Sequence, residues 1–146
     1  MKKYEFTGEV KIWLGRTLRR IRALIAFGDV EAGEAGGWIE KEENLAQDGD
    51  AWVYGDARVY GNARVCRRTH ILTIGPIGSR NDTTTFFRTK SLEIYVKCGC
   101  FNGNIEAFAE KVKATHGENE HAKRYMLAVE LAKACIDLTP CEEPEA

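Results

Sequence analysis

The chain has 146 residues, 44% of them hydrophobic and 29% charged, and a formal net charge of −1. That is enough for one domain or two small subdomains sharing a core, and it leaves no global field to draw the protein to a nucleic acid duplex or a membrane surface. The longest apolar run (23–27) is too short to span a bilayer and MKKYEFTGEV lacks the apolar stretch of a secretory signal, so a cytoplasmic protein is expected.

In chain order, TLRRIRALIAF (17–27) admits two readings. As a strand it places Ile21, Ala23, Ile25 and Phe27 on one face and Arg20 and Arg22 on the other; as a helix it makes a stripe of Leu18, Ile21, Leu24 and Ile25. The turn signals that follow at Gly28-Asp29 favour the strand. Next comes GDAWVYGDARVYGNARVC, in which Gly, Ala and Val each recur every six residues. Six is no helical period; it suits short strands bent at glycines that take positive φ. The pattern resembles the hexapeptide repeat of left-handed parallel β-helices, where three hexads make one coil. Ile39 and Leu45, six apart, supply part of a second. A solenoid needs about three repeats to bury a continuous core, so this piece is expected to pack on the rest of the chain or on another subunit.

After Arg67-Arg68 the texture changes. Residues 71–74 read as a short strand, 75–82 as a glycine- and proline-bearing loop, 83–89 as a Thr- and Phe-rich strand, and 92–98 as a half-buried strand reached through a turn at 89–91. Asn102 or Asn104 can cap a helix over about 105–115 with Ile105, Phe108 and Val112 buried. Gly117 ends it, and a second helix over about 120–137 buries Ala122, Met126, Val129 and Ala132. Two prolines and three glutamates after residue 138 suggest a frayed tail. The expected class is α+β: a short hexapeptide β-helical coil, a small antiparallel sheet and a C-terminal two-helix hairpin. It divides into a β module (1–68), a ligand-binding module (69–138) and a tail (139–146).

No phosphate-loop, nucleophile-elbow or zinc-protease motif occurs. The five cysteines, at 66, 98, 100, 135 and 141, include one C-x-C and no second pair at metal-ligand spacing. They are expected to be thiols in a reducing compartment, with no metal. His116 and His121 flank the turn between the helices beside Glu118 and Glu120; a solvated turn explains them better than a metal site. Arg16, Arg19, Arg20 and Arg22 read as a salt-bridged surface matched by Glu31, Glu34, Asp50 and Asp56, rather than as a nucleic-acid site. The segment Gly78-Ser79-Arg80-Asn81-Asp82 and Thr83, Thr84 and Thr85 combine backbone amides, hydroxyls and a guanidinium, the parts that hold phosphate oxygens. Phe86, Phe87 and Phe101 can stack on a base, with Asn81 and Asn102 on its edges. The plainer alternative is a loop joining two strands, with the phenylalanines in the core.

TIGPIGSRNDTTTFFRT and IYVKCGCFNGNIEAFAEKVKATHGENEHAKRYMLAVELAK, preceded by the hexapeptide stretch, resemble the Thoeris anti-defence proteins of the first type, and the likeness spans nearly all of the chain. Those phage proteins are oligomeric, non-catalytic sponges for cyclic nucleotide immune signals. They take glycocyclic ADP-ribose isomers and, in some members, the cyclic oligonucleotides of CBASS defence. The resemblance implies a homo-oligomer, a hexamer by analogy, acting in the cytoplasm of an infected bacterium, with no catalysis, cofactor or metal. It implies Ser79, Arg80, Asn81, Thr83, Thr84 and Thr85 on phosphate and ribose, Phe101 and Asn102 on the base, and Arg124 and Tyr125 closing over it. Phe101 can equally be core. The short coil would then serve as an oligomerisation surface. The rival readings are a hexapeptide acyltransferase and a structural or adaptor oligomer without a small-molecule ligand.

Overall fold

A computed structural model describes residues 2–78, 82–99 and 101–139. It contains two four-stranded sheets and two α-helices, so the α+β class holds. None of the described helices is long and apolar enough to cross a membrane.

The first sheet runs β1 (Tyr4–Trp13), β2 (Arg16–Ala23), β3 (Ala35–Ile39) and β4 (Arg58–Val59) in that order. β1 and β2 form a hairpin whose two turn residues, Leu14 and Gly15, both have positive φ (49° and 77°), the conformation that matches strand twist in a two-residue turn. The strand reading of 17–27 holds as far as Ala23. The pairing shifts register between Arg20 and Arg22, which moves the buried set from Leu18 to Ile21 and Ala23. Beyond Ala23 the strand expectation fails: Leu24 and Ile25 are exposed, and Phe27 packs on Trp52 at 5.4 Å from outside the sheet. The arginines are salt-bridged, but to other partners than the sequence suggested. Arg16 pairs with Glu40 at 3.0 Å, Arg20 with Glu9 at 3.5 Å and Arg22 with Glu5, while Arg19 donates to the Glu40 carbonyl at 2.7 Å. Strand pairing brings these groups together across the sheet, which sequence spacing does not show.

β3 and β4 are parallel, with Trp38 opposite Arg58 and Ile39 opposite Val59. Two glycines make this approach possible: a Cβ on Gly36 would lie 2.6 Å from the Trp52 ring, and one on Gly37 would lie 2.6 Å from the Ala57 carbonyl. Residues 37–46 then run alongside 53–65. The N–H groups of Gly37, Trp38, Glu40 and Ala46 donate to the carbonyls of Val53, Ala57, Val59 and Val65 at 2.6–3.2 Å. The six-residue period has a direct consequence for burial. Ala51, Ala57 and Ala63, and Val53, Val59 and Val65, are all fully buried, as are Ile39 and Leu45. Gly49, Gly55 and Gly61 take positive φ between them. Regular strand within the repeat is confined to β4 among the described residues.

The second sheet is an antiparallel meander of β5 (Ile71–Ile77), β6 (Asp82–Arg88), β7 (Ile94–Cys98) and β8 (Phe101–Asn104). Two expectations are corrected here. The strand from Ile71 continues through Gly75-Pro76 instead of giving way to a loop. β5 is an outer strand, where a proline's missing N–H costs no ladder bond, and the register shifts between Ile74 and Ile77. Asn102, one of the two candidate caps, instead lies in a strand, which pairs Phe101 with Cys98 and Asn102 with Lys97. The helices fall nearly where expected. α1 (Ile105–His116) is capped by Asn104, whose side chain accepts the Ala107 N–H at 2.8 Å. α2 (Glu120–Cys135) is capped by Asn119, which accepts the Ala122 N–H at 3.0 Å. Tyr125 and Ala128 join the buried stripe of α2, while Met126 is only partly covered. Thr139, placed in the expected tail, accepts a 2.9 Å hydrogen bond from Arg88 through its carbonyl; residues 140–146 lie outside the described residues.

The two sheets share side chains. Along β6, Phe86 turns to the helices and belongs to their core, while its neighbour Phe87 turns the other way and joins the core of the first sheet. Both are fully buried.

Candidate functional site

A cavity of about 270 Å³ opens between the β7–β8 turn and the two helices. Its wall is a run of aromatic rings. Phe101 on β8 lies 5.4 Å from Phe108 on α1, Phe108 meets Tyr125 on α2 edge-on at 5.6 Å, and Tyr125 stacks on His116 at 5.8 Å with 27° between planes. Helical geometry explains the line-up. Phe108, Val112 and Thr115, with Lys111 and His116, fall at spacings of three and four on α1, so one face passes from apolar core to polar rim within two turns. Lys111 and Thr115 are exposed at that rim and His116 is half-buried. Asp82, at the start of β6, borders the cavity from the sheet, its carboxylate accepting the Thr83 N–H at 2.8 Å.

Gly78 is the second structural determinant. Its φ is +82°, and a Cβ there would run into the Tyr125 hydroxyl. Glycine thus lets the end of β5 lie directly against the ring that closes the cavity. Gly78 meets Tyr125, and Asp82 borders the cavity. Ser79, Arg80 and Asn81 lie outside the described residues.

The other candidate residues separate. Thr84 is fully buried and its hydroxyl donates to the Cys98 sulfur at 3.4 Å. Thr85, buried on the opposite face of β6, accepts from the Arg58 N–H at 3.4 Å. The adjacent threonines cannot act together, because strand alternation sends them to opposite sides. Thr83 is half-buried beside Gly75. Phe86 and Phe87 are core, whereas Phe101 lines the cavity. Asn102 is exposed, one residue along β8 and therefore on the other face. Arg124 is exposed outside the cavity, 3.4 Å from Glu120 one helical turn away, while Tyr125 beside it is buried in the wall. The structure therefore brings Phe101 and Tyr125 together, through Phe108, and leaves Asn102 and Arg124 apart. Sequence reasoning did not single out Lys111 and Thr115, and it named Asp82 only as the end of the 78–82 segment. The spacing of Lys111 and Thr115 from Phe108 and Val112 was the available signal.

The arrangement offers flat aromatic surface with a cation, a hydroxyl and an imidazole along one edge. Such a surface suits a planar base carrying an anionic group. Among the described residues no three His, Cys, Asp or Glu side chains gather to hold a metal. His70, the histidine next to the repeat, is fully buried. Its Nδ1 accepts the N–H groups of Cys66 and Arg67 at 3.0 and 3.1 Å.

No family model matches the chain. Over 37 residues it is 57% identical to an uncharacterised acetyltransferase, YdcK, of Escherichia coli (strain K12). The stretch amounts to 25% of this chain and 11% of that protein, so the chain spans only a small part of the length of the curated relative that it matches.

Proposed function

We propose that the protein binds and sequesters a cyclic nucleotide messenger without turning it over, with the base against Phe101 and Tyr125 and phosphate oxygens at Lys111, Thr115 and His116. The observation that carries this reading is the aromatic run from Phe101 to His116 ending in a cationic, hydroxyl-bearing rim. Stacking on an aromatic ring contributes about 1–3 kcal/mol per base, and a lysine acts as a point charge on phosphate. The cavity, about 270 Å³, sits just below the usual range for drug-sized ligands. It therefore takes the base and leaves the remaining ligand over the rim. The resemblance to the Thoeris anti-defence sponges supplies the messenger class: glycocyclic ADP-ribose isomers, and the cyclic oligonucleotides of CBASS defence. In the same reading the hexapeptide stretch is a partial β-helical coil, supported by its buried alanines and valines and by the parallel run of 37–46 beside 53–65. The chain assembles into a homo-oligomer through that module and acts in the cytoplasm of an infected bacterium.

The test is depletion and recovery. Protein is mixed with each cyclic nucleotide, filtered and heated, and the released ligand is analysed by mass. Intact ligand recovered on heating supports sequestration, a cleaved product makes the protein an enzyme, and no depletion leaves a structural role. Phe101→Ala and Lys111→Ala should each weaken binding about tenfold or more, whereas Asn102→Ala, on the opposite face of β8, should leave it unchanged.

The 37-residue identity to YdcK favours a second reading, an acetyltransferase. Acyl-CoA consumption with release of free thiol would establish it. The burial of His70, which removes the histidine nearest the repeat from solvent, weighs against that reading.

A further inference from the structure

We infer that the seam between the two sheets holds a second binding site, for a neutral polyhydroxylated molecule of monosaccharide size. A separate cavity of about 180 Å³, roughly six water volumes, lies where the start of β2, the turn after Tyr60 and the β6–β7 hairpin meet. Its deep wall consists of Tyr60, Phe87 and Thr89, all buried, and its mouth carries Asn62, Ser91 and Glu93, all exposed. The Tyr60 hydroxyl is buried and has no hydrogen-bond partner among the described residues. Buried phenols are ordinarily bonded, and an orphaned one carries its full desolvation cost.

The polar groups around it are held in place. Arg16 donates through Nη1 to both carboxylate oxygens of Glu40 at 3.0 and 3.3 Å, and the same carboxylate accepts the Gly61 N–H at 2.9 Å. That network keeps the guanidinium over the Tyr60 ring, 4.9 Å from its centroid. On the other side the Thr89 N–H donates to the Glu93 carbonyl at 2.9 Å, and the Glu93 N–H donates to the Thr89 hydroxyl at 3.2 Å. These bonds fix the hairpin that carries Glu93.

The lining decides the ligand class. Arg16 is already neutralised by Glu40, so the cavity has no surplus positive charge for a phosphate or carboxylate. Asn62, Ser91, Thr89 and the two tyrosines each offer groups that donate or accept, and the Glu93 carboxylate adds two strong acceptors. Vicinal hydroxyls, each both donor and acceptor, match that set. The Tyr60, Phe87 and Tyr95 rings, with centroids 5.4–6.2 Å apart, pack on one another beneath the cavity, and half-buried Tyr95 is the ring left to meet the C–H face of a sugar ring.

The site is tested on the full chain with D-glucose, D-galactose, D-mannose and D-ribose at up to tens of millimolar, and with inorganic phosphate and glycine alongside. Binding is read from amide chemical shifts at Gly61, Asn62 and Ser91 and from the thermal midpoint. At least one sugar should give a saturable response. Glu93→Gln and Asn62→Ala, both at exposed positions, should weaken it about tenfold, and Tyr60→Phe should also weaken it while remaining folded. Phe101→Ala and Lys111→Ala should leave it unchanged, so failure of the nucleotide reading does not carry over. No saturable response to any of the four sugars overturns the proposal. So does a response to phosphate or glycine alone, or sugar affinity that is the same in Glu93→Gln, Asn62→Ala and wild type.

Discussion

His70 accepts two backbone N–H groups at Nδ1, so the proton of its neutral ring sits on Nε2. Burial, reinforced by the Arg88 charge and opposed by Asp137, lowers its pKa from 6.5 to about 4. The unfolded chain therefore binds the proton first as pH falls. The stabilisation is fully present above pH 6.5 and is lost as pH falls through about 4. Its upper bound is about 3 kcal/mol, less where solvent and neighbouring charges screen it. His70→Asn keeps an acceptor near the same place and removes the titration. Urea midpoints of wild type and variant measured from pH 7 to pH 4 should converge toward the acid end. Curves that stay parallel would show that His70 is not the linked group. At the same scale, Gly78 and Tyr125 show why one cavity wall escaped sequence reading. A glycine in a G-P-I-G stretch signals a turn, and only the packing reveals that its missing Cβ makes room for a phenol.

The two helices depend on their first turns. Asn104 and Asn119 each accept the N–H three residues on, satisfying one donor that the helix leaves open. Asn104→Ala should cost about 1 kcal/mol, seen as a lower urea midpoint with an unchanged slope. Asn119→Ala should cost a similar amount. The two losses should add, because the caps share no partner. The helices were legible in the sequence because period, caps and Gly117 all act within a few residues. The strands were less so. β8 is short and polar, and pairing with β7, not side-chain pattern, holds it extended. β5 tolerates Pro76 only because it is an outer strand, a property of the assembled sheet.

Across the whole molecule, β6 places a fully buried residue in each core, while β5 and β7 reach the first core through half-buried Ile71 and Tyr95. Phe86 and Phe87 point to opposite sides and are both fully buried, so neither core is complete without this strand. Trp13, Trp38 and Trp52 all lie in the first half of the chain and both α-helices in the second, so two optical probes report the halves separately. Phe87→Ala should cost about 3–5 kcal/mol. It should lower the tryptophan-fluorescence midpoint and the helical circular-dichroism midpoint together. A fluorescence midpoint that falls while the helical signal holds would mean that the two sheets fold independently.

The sequence by itself determined what short-range physics controls. It specified the α+β class, both helices, Asn102 or Asn104 as the cap of the first, and the six-residue recurrence of alanine and valine, a period that admits no helix. It also marked the stretch around 78–85 and Phe101 as worth attention. Tertiary structure decided which of those residues meet. Strand alternation buried Thr84 and Thr85 on opposite faces and separated Asn102 from Phe101, and helix rotation put Tyr125 inside and Arg124 outside. Pairing across the first sheet gave the arginines Glu40, Glu9 and Glu5 as partners in place of Glu31, Glu34, Asp50 and Asp56. The physical reason is range. Propensity and periodicity act over a few residues, whereas a cavity is made by side chains far apart in sequence, and their meeting depends on register and crossing that no local pattern encodes.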